Sequence, residues 1–118
     1  MLENANLNLQ IGRVKVAQTE TEKFLHRRPD CGRAYFLLGE VYRHSEKNQQ
    51  HIDLAVSAYY EATRRSPTDP LAYRELGLLY RTQNRREEAC SAFKQYLILS
   101  PKASDAGIVR GYLTELKP

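Results

Sequence analysis

Three alanines each stand twelve residues ahead of a proline: Ala17 before Pro29, Ala55 before Pro67, and Ala89 before Pro101. A chain that repeats its own spacing is constrained to build copies of one unit, because equal patterns bury equal faces. A bulky residue lies within each interval: Phe24 in the first, Tyr59 in the second, Phe93 and Tyr96 in the third. Ahead of the second and third alanines a further block recurs. "YFLLGEVY" places Tyr35, Leu38, Gly39 and Tyr42, and "YRELGLLY" places Tyr73, Leu76, Gly77 and Tyr80 at the same spacing. Apolar residues three and four apart are the mark of amphipathic helices.

Gly39 and Gly77 interrupt these apolar helices, although glycine in a helix interior costs about 1 kcal/mol relative to alanine. Their recurrence at one position points to a close neighbour. Pairing Gly39 with Ala55, and Gly77 with Ala89, brings helix axes to the lower part of the usual range of about 8–10 Å. Turn signals agree. In "SPTDP" Pro67 ends one helix, Asp69 caps the next and Pro70 suits a first helical position. "SPKASD" repeats the arrangement with Ser104 as the expected cap. Seven helices follow, at about 1–11, 14–27, 33–46, 50–65, 70–82, 86–99 and 104–116.

The order W-x-x-L-G-x-x-Y, A-x-x-x-F, P is that of the tetratricopeptide repeat. The chain resembles that family over almost its whole length, with Tyr73 in place of the usual tryptophan. The resemblance implies an all-α fold, a right-handed α-solenoid of antiparallel helix pairs with about 2.5–3 repeats and a C-terminal capping helix. One domain is expected over 1–118. It divides into a partial repeat at 1–31, a repeat with a four-residue insertion at 32–69, a repeat at 70–103, and a cap at 104–118. Gly12 marks the turn of the first, clipped repeat.

The totals exclude several classes. At 118 residues the chain is ordinary for one domain, and its 42% hydrophobic and 27% charged content is globular. No stretch approaches the roughly 18 apolar residues of a membrane span. Two cysteines, Cys31 and Cys90, are too few for a disulfide framework or a zinc site. His26, His44 and His51 lie in separate segments, and no metalloprotease, nucleophile-elbow or phosphate-loop motif occurs. The expectation is a chain that is not an enzyme and has no cofactor or metal. Net charge is +4, and arginine pairs stand at 27–28, 64–65 and 85–86. The first two pairs fall in the last turn of equivalent helices, where cations favour the dipole. Aromatic residues do not interleave with them, so nucleic acid is not the expected partner.

In the family, the first helix of each repeat lines a concave surface that binds peptides. With Tyr35, Leu38, Gly39, Tyr42 and their counterparts assigned to the core, periodicity places a neighbouring face on Arg33, Phe36, Leu37, Glu40 and Arg43. In the next unit that face holds Leu71, Arg74, Glu75, Leu78 and Arg81. Ile108, Val109 and Tyr112 of the last helix would form an end wall. Arginines among apolar anchors suit a peptide that alternates hydrophobic and acidic side chains. The basic and amide clamp by which some members hold a C-terminal carboxylate is absent. One register offers Leu2, Asn6, Leu37, Leu71 and Glu75, and the other Phe36, Glu40, Glu75, Asp105 and Val109.

The resemblance therefore implies a non-catalytic scaffold that binds a peptide segment of a protein partner. The ending also resembles the C-terminal repeats of bacterial proteins in which repeats follow a membrane-associated zinc peptidase. On that reading this is an accessory domain of a larger enzyme, and a bacterial periplasmic location is open to it; otherwise the cytoplasm is slightly favoured. A third expectation is self-association, since the incomplete first repeat leaves an apolar end that a second copy could cover.

Overall fold

Seven α-helices account for most of residues 2–116, the part of the chain that this computed structural model describes, and no strand occurs among them. The expected helix start at Met1 and the last two residues of the expected cap lie outside the described residues. The chain divides at Ser66 and Pro67 into two units. The first holds α1 (Leu2–Gln10), α2 (Val14–Arg27), α3 (Gly32–Arg43) and α4 (Gln49–Arg65). The second holds α5 (Pro70–Thr82), α6 (Arg86–Leu99) and α7 (Ala106–Leu116). Consecutive helices pack on one another within each unit.

Gly39 and Gly77, in the middle of α3 and α5, are covered by aromatic rings. A Cβ built on Gly39 would stand 2.6 Å from Cδ1 and Cε1 of Tyr59, and one built on Gly77 would overlap the Phe93 ring. Tyr59 and Phe93 are fully buried. The close neighbour is thus not the alanine of the second helix but the aromatic residue one turn beyond it, which lies flat where a side chain would stand. Burying such a ring contributes about 1.5–3 kcal/mol, more than glycine's helix penalty of about 1 kcal/mol. The first unit adds a cluster of Ala5, Leu9, Ala17, Leu37 and Val41, with Leu2 and Val14 packed on it.

Local chemistry sets the helix ends. Asn48 caps α4 by accepting from the His51 amide at 2.8 Å, and Asp69 caps α5 through the Leu71 amide at 3.1 Å, with Pro70 following. Gly12 (φ 87°) and Asn84 (φ 60°) take the left-handed conformation that turns α1 into α2 and α5 into α6. Tyr35 and Tyr73 each donate a hydroxyl hydrogen bond six residues back, to the carbonyls of Pro29 and Pro67 at 3.0 and 3.1 Å. At the equivalent place in α7 stands Gly107, and Arg110 donates to the Pro101 carbonyl instead.

Two boundaries differ from expectation. α3 ends at Arg43 rather than near 46, because the inserted segment leaves the helix at His44 and Ser45, whose hydroxyl turns back to the Val41 carbonyl. α7 begins at Ala106, so Ser104 does not cap it. Asp105 stands before the helix with its carboxylate committed to Tyr96 and Arg74.

We expect Gly39→Ala and Gly77→Ala each to destabilise the fold by about 1–3 kcal/mol through overpacking. Gly111, with nothing within 4 Å of its Cβ position, is the control: Gly111→Ala should stabilise by up to about 1 kcal/mol. Urea denaturation of the three variants checks this, and a Gly77→Ala variant more stable than the parent would contradict the ring-over-glycine account.

Candidate functional site

Once the core is filled, what remains on the first helices decides what they can bind. Aligned by the repeat, Leu37, Glu75 and Val109 share one position, and all three are buried, at 7%, 6% and 2% exposure. The expectation that they line a groove is therefore corrected. Leu37 belongs to the cluster with Ala5, Leu9, Ala17 and Val41, and Val109 is core in α7. The turn of the helix differs from expectation by about one position: Tyr35, Leu38 and Tyr42 are only half-buried, whereas Ala34, Leu37 and Val41 are buried.

On α3 the remaining candidates are Arg33, Phe36, Glu40 and Arg43. Arg33 is exposed, and Phe36 is half-buried with its ring centroid 5.5 Å from that of Tyr59. Glu40 accepts from the Tyr59 hydroxyl at 2.5 Å and pairs with Arg43 at 3.2 Å. On α5, Leu71 is exposed and Leu78 half-buried.

The two α5 arginines are tied to carboxylates. Arg74 lies 3.0 Å from Glu75 and 3.5 Å from Asp105, with its guanidinium 6.0 Å from the Tyr96 ring centroid. Burial works against the Arg74 cation, but the hydrogen bond and charge of Glu75, with Tyr96, outweigh it and raise its pKa. Arg81 reaches Glu115 of α7 at 3.1 Å and covers the Tyr112 ring at 4.3 Å, and Tyr112 stacks on Phe93 with centroids 5.5 Å apart. Ile108 is 60% exposed on α7.

The faces thus keep Phe36, Leu71, Leu78 and Ile108 partly in water, and Arg43, Arg74 and Arg81 carry internal counter-charges, whereas Arg33 is exposed without one among the described residues. A sequence reading missed Tyr59, Tyr96 and Asp105 as the anchors of these networks. Their signal is position: Tyr96 and Asp105 follow Arg74 by 22 and 31 residues, within one repeat length. Neither the cleft of about 430 Å³ beside Thr19, Glu22, Lys23, His26 and Arg27 nor that of about 500 Å³ beside Arg86, Cys90 and Lys94 includes a residue of the expected groove. Among the described residues no group of three or more His, Cys, Asp or Glu could hold a metal ion, and no helix is long and apolar enough to cross a membrane.

Comparison with known proteins agrees with this geometry. The tetratricopeptide repeat family model matches residues 2–50 and 44–104. No curated protein matches the chain in sequence. Among solved structures, the type III secretion translocator chaperone SycD of Yersinia enterocolitica is similar, at 15% identity and a TM-score of 0.84 over 98% of this chain and 79% of that one. PcrH, solved in complex with the chaperone-binding region of PopD, is 14% identical with a TM-score of 0.81 over 97% of this chain and 86% of that one. The first such repeat domain of Spaghetti (RPAP3), bound to the HSP90 peptide SRMEEVD, is 18% identical with a TM-score of 0.81 over 97% and 87%. At these identities the likeness is one of fold.

Tyr96 gives a test of the Arg74 network. Burial first, and the Asp105 carboxylate second, raise its hydroxyl above the usual 10. A raised folded value means that the unfolded chain ionises first, so stability is retained below about pH 10 and lost as pH rises beyond it. Tyr96→Phe should lose about 1–2 kcal/mol at neutral pH with its hydrogen bond to a charged group, and should lose less further stability from pH 10 upward than the parent. Denaturant melts across that range check it; parallel pH profiles would contradict it.

Proposed function

The chain belongs to the tetratricopeptide repeat family, and we propose that it is a non-catalytic protein-interaction module whose first-helix faces bind a peptide segment of a partner. The observation that supports this is the residue set left over from packing. Phe36 on α3, Leu71 and Leu78 on α5, and Ile108 on α7 keep part of their apolar surface in water. Leu71 and Leu78 stand about two helical turns apart on α5, and exposed apolar surface that recurs on one helix face marks an interaction site more readily than scattered residues do. Solved relatives in fold are held with peptides, PcrH with a region of PopD and the RPAP3 domain with an HSP90 peptide.

The ligand class follows from the charges. An acidic peptide would have to compete with Glu40 for Arg43, with Glu75 and Asp105 for Arg74, and with Glu115 for Arg81. Internal ion pairs that are already oriented need no further ordering, whereas an incoming carboxylate does. The proposed ligand therefore uses apolar anchors, and the alternation with acidic residues suggested by sequence is not required. An accessory role beside a catalytic domain is compatible with the same face.

A second reading, self-association, is favoured by Leu7 and Ile11, which are 56% and 59% exposed and stand one helical turn apart. Light scattering at micromolar concentration tests it: a dimer that Leu7→Glu dissociates supports it, and a monomer dismisses it.

Selection from a displayed library of random twelve-residue peptides tests the main reading. We expect apolar-rich peptides to be enriched, and their affinity to fall at least about tenfold, or 1.4 kcal/mol, in a Leu71→Glu, Leu78→Glu variant that keeps its helical circular dichroism. Absence of enrichment, or equal binding by the variant, would overturn it.

A further inference from the structure

Arg43, Arg74 and Arg81 on the first-helix faces and the arginines at one end of the first unit, Arg33 at the start of α3 among them, are in opposite states. Arg43, Arg74 and Arg81 are held by carboxylates of their own units. At the end where α2 and α4 finish and α3 begins, Arg27, Arg28, Arg33, Arg64 and Arg65 are all exposed. Several contacts bring them together. The Cys31 amide closes the turn onto the Arg28 carbonyl at 3.3 Å, and the Tyr35 hydroxyl fastens the Pro29 carbonyl at 3.0 Å. Arg65 lies over the Tyr35 ring, 5.8 Å from its centroid. Ser66, which ends α4, packs so closely on Gly32 that any Cβ there would overlap its side chain.

Few acidic groups answer this cluster. Glu61 is shared by Arg64 at 3.8 Å and Arg65 at 3.3 Å, and their side chains remain 65% and 43% exposed. Arg27, Arg28 and Arg33 make no ion pair with a described residue. Within the first unit the segments that carry the cluster, 27–33 and 61–66, hold five arginines against Asp30 and Glu61, a local balance of +3. The C-termini of α2 and α4 and the N-terminus of α3 together subtract about half a charge, so the end stays positive.

We propose that this end of the first unit is a docking surface for an acidic protein segment, whose carboxylates are taken by Arg27, Arg28, Arg33 and Arg64. The proposal rests on the protein-interaction reading and moves the acidic contact from the first-helix face to the helix ends. Guanidinium forks suit carboxylates in pairs. The ring at the centre of the cluster, Tyr35, is already covered by Arg65, so it offers no stacking platform to a nucleic-acid base.

The test uses the full chain, a fluorescent decaglutamate peptide and low salt, read by anisotropy. We expect binding that weakens at least about fivefold when Arg27, Arg28 and Arg33 are changed to Ser together. It should change by less than about twofold when Lys15, Lys94 and Lys102 are changed instead, which removes equal charge elsewhere. Binding should also fade as salt rises toward about 1 M. No binding, or equal weakening by both triple variants, would overturn the proposal. Tighter binding of a ten-nucleotide oligothymidylate than of decaglutamate would overturn the assignment to protein. The Leu71→Glu, Leu78→Glu variant should bind decaglutamate like the parent, so the outcome is separable from failure of the first-helix reading.

Discussion

An aromatic ring laid on a glycine is the contact from which the rest of each unit follows. Tyr59 occupies the space that Gly39 leaves, and Phe93 the space that Gly77 leaves. A ring in that position can be wholly buried only if the two helices lie close along their length, and this in turn sets which other side chains face inward. Close packing leaves no slack: interiors have the density of organic crystals, so a methyl group is felt. The Tyr59 ring also carries its hydroxyl to Glu40, so the contact that holds α3 to α4 orients a carboxylate on the first-helix face. In the second unit Phe93 stacks on Tyr112 and thereby helps seat α7, which Arg81 reaches through Glu115.

The same packing explains how charge is distributed. Arg43, Arg74 and Arg81 meet carboxylates of their own helix or of the α7 segment and become neutralised. At the helix ends of the first unit, Arg27, Arg28 and Arg33 are exposed without an ion pair to a described residue, and Arg64 and Arg65 share the single carboxylate of Glu61. Charge that is paired at about 3 Å serves the fold, and charge that is exposed and unpaired is available for association and for steering a partner at a distance. Arg74 shows the first state and Arg28 the second, although both follow from ordinary arginine chemistry.

Much of this was legible in the residues. The two Leu-Gly pairs, the prolines at 67 and 101 and the turn glycine at 12 place seven helices to within a few residues, because turn chemistry is local. The errors fall where a side chain's environment is set from outside its own helix. Leu37 reads as a surface anchor by periodicity, yet Ala5, Leu9 and Ala17 approach it from preceding helices and close it in. Glu75 reads as a groove carboxylate and is instead buried beside Arg74. Ser104 has the chemistry of a cap, but Asp105 is drawn toward Tyr96 and α7 starts one residue later than that cap would require.

The sequence by itself determined the repeat, the helices and the presence of something small at two helix centres, since spacing, proline geometry and glycine sterics operate within a few residues of chain. Only the tertiary structure decided that rings rather than alanines fill those spaces, and which arginines are spent. Tyr59 follows Gly39 by 20 residues, and Asp105 and Glu115 follow Arg74 and Arg81 by 31 and 34. Partners that far apart are chosen by the packing of whole helices, where one angular step exchanges a buried position for an exposed one.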